Sequence, residues 1–224
     1  PGATNLLTAI GSSYFDSVLS IFITGQGNIH ELKGSRGIRQ LGFQETDIVS
    51  MVKPICKFVY QVQKASELPN ILEHAFCLSL HGRQGPCLID IPLNVQSEEV
   101  DDILANSYIQ RAYNKCQESV NSNLIKKSDI QLDQYINRLI DEITNSKRPL
   151  ILIGGGCASV LNRKVAQSII NFFKIPVVSS LMAVDVLPQS HPLRVGFIGS
   201  YGNRWANKIL GKSDLLLVLG SRLD

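Results

Sequence analysis

Short apolar runs, each the length of a strand and separated by helix-patterned stretches, constrain the fold of this chain more than any other feature. "CLIDIP" (87–92) is continuous and closed by Pro92, and "PLILIGGG" (149–156) runs straight into glycines. "LSIFIT" (19–24), "IPVVSS" (175–180) and "DLLLVLG" (214–220) have the same character, while "KFVYQV" (57–62) alternates as a half-buried strand would. Strands apolar on both faces need cover on both faces, which parallel sheets with crossover helices provide. The intervening patterns supply those helices. Leu6, Leu7 and Ile10 share a face within residues 3–13, and Ser66 with Pro69 opens a helix placing Ile71, Leu72, Ala75 and Phe76 on one side. Leu132, Ile136, Leu139 and Ile143 share another face, and 160–173 reads as a further helix. The expected class is α/β: parallel sheets covered by helices on both faces, in two partial Rossmann-like domains.

Between Gln96 and about Ser128 the periodicity dissolves into polar residues, so 98–125 reads as a linker between domains at 1–97 and 126–224. The chain starts at Pro1 within a turn-like "PGATN" and stops at Asp224 directly after an apolar run, so it reads as an internal piece of a longer protein. No apolar run reaches the roughly 18–20 residues of a membrane span. Net charge is +3 with the signs interspersed, which offers nucleic acid no basic stripe. The five cysteines are odd in number and none pair at CxxC spacing, which points to reduced thiols in the cytoplasm rather than disulfides or zinc. His30, His74, His81 and His191 have no neighbours at ligand spacing.

Gly154, Gly155 and Gly156 stand between a strand and a helix, where backbone N–H groups and the helix dipole can hold a phosphate. The strict GxGxxG pattern fails at Ser159, and a tight turn without a ligand is the equal alternative. "ANKILGKS" (206–213) imitates a phosphate loop but ends a helix and leads into a strand, the reverse of what that loop requires. Asp90, late in an apolar strand, reads as a loop-capping hydrogen-bond acceptor, with catalysis as the alternative. "RQLGFQETDIV" (39–49) places Phe43, Gln44 and Glu45 between a basic loop and a short helix, as loop surface or as the lip of a pocket.

In order along the chain, "PGATN", "FITGQ", "GFQETDIV", "KPICKF", "LPNILEHAF", "GRQGPCLIDIPLNVQ", "IGGG", "SLMAVDVLP" and "SDLLLVLGSRLD" resemble the thiamine-diphosphate enzymes, most of all the acetohydroxyacid (acetolactate) synthase large-subunit family. The resemblance implies that 1–97 is the latter part of a pyrimidine-binding domain and 126–224 the first part of a central, FAD- or nucleotide-binding-like domain. It implies thiamine diphosphate, Mg2+ held by a domain outside these residues, and FAD without a redox part in the main reaction. It also implies a 2-oxo acid substrate such as pyruvate, a step of branched-chain amino acid biosynthesis, and an active site shared within a homodimer or homotetramer. The family's catalytic glutamate falls upstream of Pro1 and its metal-binding GDG pattern falls downstream of Asp224. These 224 residues alone are therefore expected to be inactive.

Carried over singly, Pro1 and Asn5 match the turn against the aminopyrimidine, and Gln26 matches a glutamine near the cofactor. Phe43 and Gln44 match the lip of the active site, and Lys57 matches a lysine near the substrate channel, although its flanks read Cys56 and Phe58. Phe43, Gln44 and Lys57 are the candidate catalytic positions. Glu45 is read as structural, closing the helix start near Asp47. Gly154, Gly155, Gly156, Leu181, Met182, Gly220 and Arg222 match contacts to FAD. Gly199 and Gly202 survive in "GSYGN", where the family has Gly-Met-His-Gly-Thr. The departures at "CKF" and "GSYGN" keep a decarboxylase, oxidase or hydrolase of the same superfamily open. A nucleotide-binding module without catalysis is the alternative of a different class.

Overall fold

The computed structural model describes residues 1–100, 106–108, 110–111, 114 and 130–223. Cys116 and most of the expected linker lie outside them. The chain divides into two compact units, Pro1–Leu124 and Ile125–Asp224, each with its own parallel sheet.

In the first unit a 3-10 turn, Gly2–Leu6, leads into α1 (Leu7–Phe15) and then β1 (Ser20–Gln26). A long loop reaches α2 (Ile48–Val52), followed by β2 (Phe58–Gln61), α3 (Leu68–Leu80), β3 (Pro86–Pro92) and the single turn α4 (Leu93–Gln96). Strand order is β1-β3-β2, all parallel, so the continuous apolar run "CLIDIP" is the central strand. Period-2 alternation then sorts the side chains. Leu88, Phe22 and Val59 face Ile10, Ile48 and Val52 of α1 and α2. Cys87 and Ile89 face Ile71 and Ala75 of α3. Phe76, expected on the buried side of α3, is 37% exposed. Glu73 and Ser79 are buried in addition to Ile71 and Ala75.

In the second unit α5 (Ile130–Asn145), β4 (Pro149–Ile153), α6 (Val160–Phe173) and β5 (Val177–Ser179) follow the expected alternation. Next comes β6 (Arg194–Phe197), a strand the sequence pattern did not announce. Gly196 interrupts its apolar run at φ +149°, beside a register shift between Val177 and Val178 of its partner. α7 (Arg204–Leu210) and β7 (Leu215–Leu219) complete the unit, in the order β6-β5-β4-β7, all parallel. Ile151, Ile153 and Val177 pack under α5 and α6, while Leu150, Leu152 and Val178 pack under Ala206 of α7. Only the C-terminal half of the α5 stripe is used: Ile143 is buried, but Leu132 and Ile136 are 51% and 44% exposed. Within the expected linker, 106–108, 110–111 and 114 are helical, with the Arg111 guanidinium 4.2 Å from the centre of the Tyr108 ring.

Asp214 closes the entry to β4. Its carboxylate accepts from Ser146 Oγ at 2.5 Å and from the backbone N–H groups of Lys147 at 2.9 Å and Arg148 at 2.8 Å. The Ser146 hydroxyl foremost, with those N–H groups, brings its pKa from 3.8 down to about 2. A depressed carboxylate contributes stability above its unfolded pKa and loses it as pH falls through the folded one. Melting of the second unit, followed by circular dichroism from pH ~5 to ~2, should therefore fall in this window. Asp214→Asn should flatten that limb.

Candidate functional site

Parallel order places every loop that follows a strand at the same, C-terminal end of its sheet, where open α/β sheets bind ligands. In the first unit this end is built on a polar ladder across all three strands. Thr24 of β1 and Gln61 of β2 both stand opposite Asp90 of β3. The Asp90 carboxylate, 0% exposed, accepts from Thr24 Oγ1 at 2.7 Å and from Gln61 Nε2 at 2.9 Å. The loop-capping role expected for Asp90 is thus corrected: it is a cross-strand clamp, because its partners are side chains of neighbouring strands. Thr24 and Gln61 carried no signal in the sequence, since only the strand register aligns them.

Beyond the ladder, Gln26 ends β1. Its Nε2 donates to the Thr46 carbonyl at 2.7 Å and its Oε1 accepts from Gly27 N at 3.1 Å. That bond draws the Phe43–Thr46 segment to the end of β1. Glu45 shapes the same segment: one carboxylate oxygen accepts from Lys33 N at 2.7 Å, the other from Leu41 N at 2.8 Å. Burial pushes the Glu45 pKa up, but the N–H groups of Leu41, Lys33 and Gly42 outweigh it and hold the acid below its usual range. Asp47, not Glu45, caps α2, accepting from Ser50 N at 3.1 Å. With the loop tied down on both sides, Gln44 sits at φ +59° and the Phe43 ring is 89% exposed. Left-handed backbone at a non-glycine residue costs energy that the surrounding bonds must supply.

Lys57 is differently placed. Its Nζ donates to the carbonyls of His81 at 2.5 Å and Arg83 at 2.8 Å, where α3 ends. Burial draws its pKa down, although these two carbonyls favour the ammonium. Lys57→Met should therefore destabilise the first unit by about 1–3 kcal/mol in urea unfolding, since two bonds from a charged donor are lost. A lysine that served only to attract substrate would leave stability unchanged. Pro1 and Asn5 are exposed on the turn before α1, with the Pro1 carbonyl accepting from Thr4 N at 3.0 Å. Burial raises the Cys56 thiol to about 12 and also raises Cys87 and Cys157, which disfavours their thiolate forms.

In the second unit the strand order reverses between β4 and β7, the switch point at which such sheets take ligands. Gly154–Gly156 and Gly220 meet there. A Cβ on Gly154 would lie 2.3 Å from the Gly220 carbonyl oxygen, and one on Gly156 would lie 3.0 Å from Gly220 Cα. A Cβ on Gly155 would press on the Met182 side chain at 3.1 Å. The N–H groups of Gly154, Gly156, Cys157 and Ala158 donate to the carbonyls of Leu219, Gly220, Gly154 and Gly155. The tight-turn reading of these glycines has a concrete cause: two strand-end loops share backbone contact. Ser159, in place of the pattern's third glycine, caps α6 by accepting from Asn162 N at 3.3 Å. Lys212 and Ser213 of "ANKILGKS" follow α7 and precede β7.

Leu181, Met182, Gly199, Gly202 and Arg222 follow β5, β6 and β7 and so line the same end as the glycine turn. Leu181, Met182 and Arg222 are exposed there, and Gly199, at φ +111°, has open space where a Cβ would stand. Asn207 of α7, within "ANKILGKS" but given no role by that pattern, holds the Gly199 loop. Its Nδ2 donates to the Gly199 carbonyl at 3.0 Å and its Oδ1 accepts from Gly199 N at 3.1 Å. Tyr201 projects from the same loop, 93% exposed. Among the described residues no group of three His, Cys, Asp or Glu side chains is placed to hold a metal ion, and no helix is long and apolar enough to cross a membrane.

Comparison with known proteins matches this framework. Residues 136–224 match the central domain of thiamine pyrophosphate enzymes. All 224 residues align with the acetolactate synthase large subunit of Lactococcus lactis at 34% identity and with that of Corynebacterium glutamicum at 35%, covering 36% and 33% of those proteins. Acetolactate synthase 1, chloroplastic, of Zea mays is 34% identical over the same span and 32% covered. The chain spans about a third of the length of the curated relatives it matches. Residues 136–224 are thus similar to the central domain of thiamine pyrophosphate enzymes, and along its whole length the chain is similar to acetolactate synthase large subunits.

Proposed function

We propose that these residues are a segment of a thiamine-diphosphate-dependent carboligase that condenses 2-oxo acids, forming acetolactate from pyruvate. The observation that carries this reading is the similarity to acetolactate synthase large subunits, unbroken over all 224 residues. When bound, thiamine diphosphate supplies a carbanion and an electron sink for decarboxylation of the 2-oxo acid. The chain's own share is to bind, orient and exclude water. The reading takes 1–97 as the latter part of the pyrimidine-binding domain, 98–125 as linker and 126–224 as the first part of the central domain.

Within it, Gln26 holds the Phe43–Thr46 segment at the end of β1, and Pro1 and Asn5 belong to the pyrimidine side. Phe43 offers an apolar ring at the lip and Gln44 an amide able to hydrogen-bond a substrate carboxylate or carbonyl. Lys57, matched to a lysine near the substrate channel, precedes β2 and bonds carbonyls just before β3. It therefore stands at the opposite, N-terminal end of the sheet from that lip and ties the end of α3 to β2.

FAD would lie along the C-terminal rim of the second sheet, on Leu181, Met182, Gly199, Gly202, Gly220 and Arg222. The open space at Gly199 is compatible with a close ligand, whereas the small size of Gly154, Gly156, Gly202 and Gly220 is already used by backbone. Mg2+ is assigned to a domain outside these residues. The active protein is read as a homodimer or homotetramer in the cytoplasm, in keeping with the free thiols of Cys56, Cys77, Cys87 and Cys157.

The test is product formation by the full-length protein with thiamine diphosphate, Mg2+ and pyruvate. Acetolactate is the expected product. Bound thiamine diphosphate without acetolactate would overturn the carboligase reading, and acetaldehyde or acetate instead would favour a decarboxylase or oxidase, as the departures at Cys56, Phe58 and Tyr201 allow. Flavin absorbance of the purified protein tests FAD separately.

A further inference from the structure

A cleft lies along β2 and α3 of the first unit, where β2 is the last strand of its sheet. Its volume is about 460 Å³ and its lining is Phe58, Tyr60, Glu67, Asn70, Ile71 and His74. Ligand sites of this size are typically aromatic or apolar with a few placed polar groups. Strand alternation puts Phe58 and Tyr60 on one face, their rings 6° from parallel with centroids 6.1 Å apart. His74 meets the Phe58 ring edge-on at 5.0 Å.

Glu67 supplies the carboxylate of the lining. Its Oε2 accepts from Gln63 N at 3.3 Å and faces the Tyr60 hydroxyl at 3.5 Å. The lining holds no lysine or arginine. Aromatic faces beside one carboxylate attract a cation and repel carboxylates and phosphates, which excludes the 2-oxo acid and nucleotide classes.

We propose that this cleft binds a small organic cation of the guanidinium class. Its plane lies against an aromatic ring of the lining and its N–H groups point to Glu67, since a planar delocalised cation satisfies an aromatic face and a carboxylate together. The inference does not depend on the proposed enzyme activity, because binding is read directly.

The probe is ethylguanidinium, titrated at millimolar concentration and constant ionic strength into the full chain, with propionate as the anionic control. Side-chain resonances of Phe58, Tyr60 and His74 should shift saturably with ethylguanidinium and not with propionate. Glu67→Gln, which keeps an acceptor for Gln63 N, should weaken binding about tenfold, the loss expected of one charge-assisted contact. Asn70→Lys, on an exposed position one turn along α3, should abolish it by supplying an internal ammonium to Glu67. Absence of a saturable shift in the parent chain, or equal affinity in a folded Glu67→Gln chain, overturns the proposal.

Discussion

Gly154→Ala should unfold the second unit's β4–β7 junction at a cost of about 3–5 kcal/mol. The new Cβ would lie 2.3 Å from the Gly220 carbonyl oxygen and 2.4 Å from Ser221 Cα. Both obstacles are backbone, so no rotamer can clear them. Relief requires parting β4 from β7, which breaks the bonds from Gly154 N to the Leu219 carbonyl and from Gly156 N to the Gly220 carbonyl. Urea unfolding followed by the fluorescence of Trp205, the chain's one tryptophan, reports on this unit. Gly211→Ala, in the same unit, where a Cβ makes only ordinary contacts with the Asn207 and Lys208 carbonyls at 3.6 and 3.9 Å, is the control and should stay within about 1 kcal/mol of the parent. A Gly154→Ala chain as stable as that control would mean that the two loops do not share backbone contact.

Asp90→Ala should cost the first unit about 2–4 kcal/mol. The carboxylate lies on the central strand with no exposure, and its removal leaves the Thr24 hydroxyl and the Gln61 amide without their acceptors. Asp90→Asn should retain most of the stability. Its oxygen still accepts from Thr24, and Gln61 can turn its amide to accept from the new NH2. The ordering Ala well below Asn, close to parent, separates a clamp from a mere core contact. Amide exchange at Val62, whose N–H donates to the Asp90 carbonyl, gives a local reading beside the global urea curve. Since the ladder aligns the strand ends that carry Gln26 and Gln61, its loss should also disorder the Phe43–Thr46 lip.

Much of the architecture was legible in local pattern. "CLIDIP" is apolar apart from Asp90 because β3 is covered on both faces and paired on both edges, so a central parallel strand leaves little else possible. β6 was not legible, because Gly196 breaks its run and its pairing depends on a register shift in β5. The stripe on α5 predicts a helix correctly but not its burial: Leu132 and Ile136 satisfy the same period as Ile143 while remaining exposed. Periodicity reports which residues share a face and is silent on whether anything meets that face.

The candidate site divides in the same way. Motif order marked Phe43, Gln44, Gln26 and the glycine turn as positions of interest, and the residues around them set the loops that carry them. Lys57 was marked only by resemblance to a lysine near the substrate channel, and its ammonium is committed to the carbonyls of His81 and Arg83, residues 24 and 26 positions away. Glu45 looked like a helix cap, yet it gathers a loop reaching back to Lys33. By itself the sequence determined every strand but β6, the main helices, the parallel class and the likeness to acetolactate synthase large subunits, because those rest on side-chain identity and short-range period. Only the tertiary structure decided which polar groups meet. Asp90 finds Thr24 and Gln61, Gly154 finds Gly220, and Asn207 finds Gly199 through strand register and loop closure, distances that no local pattern encodes.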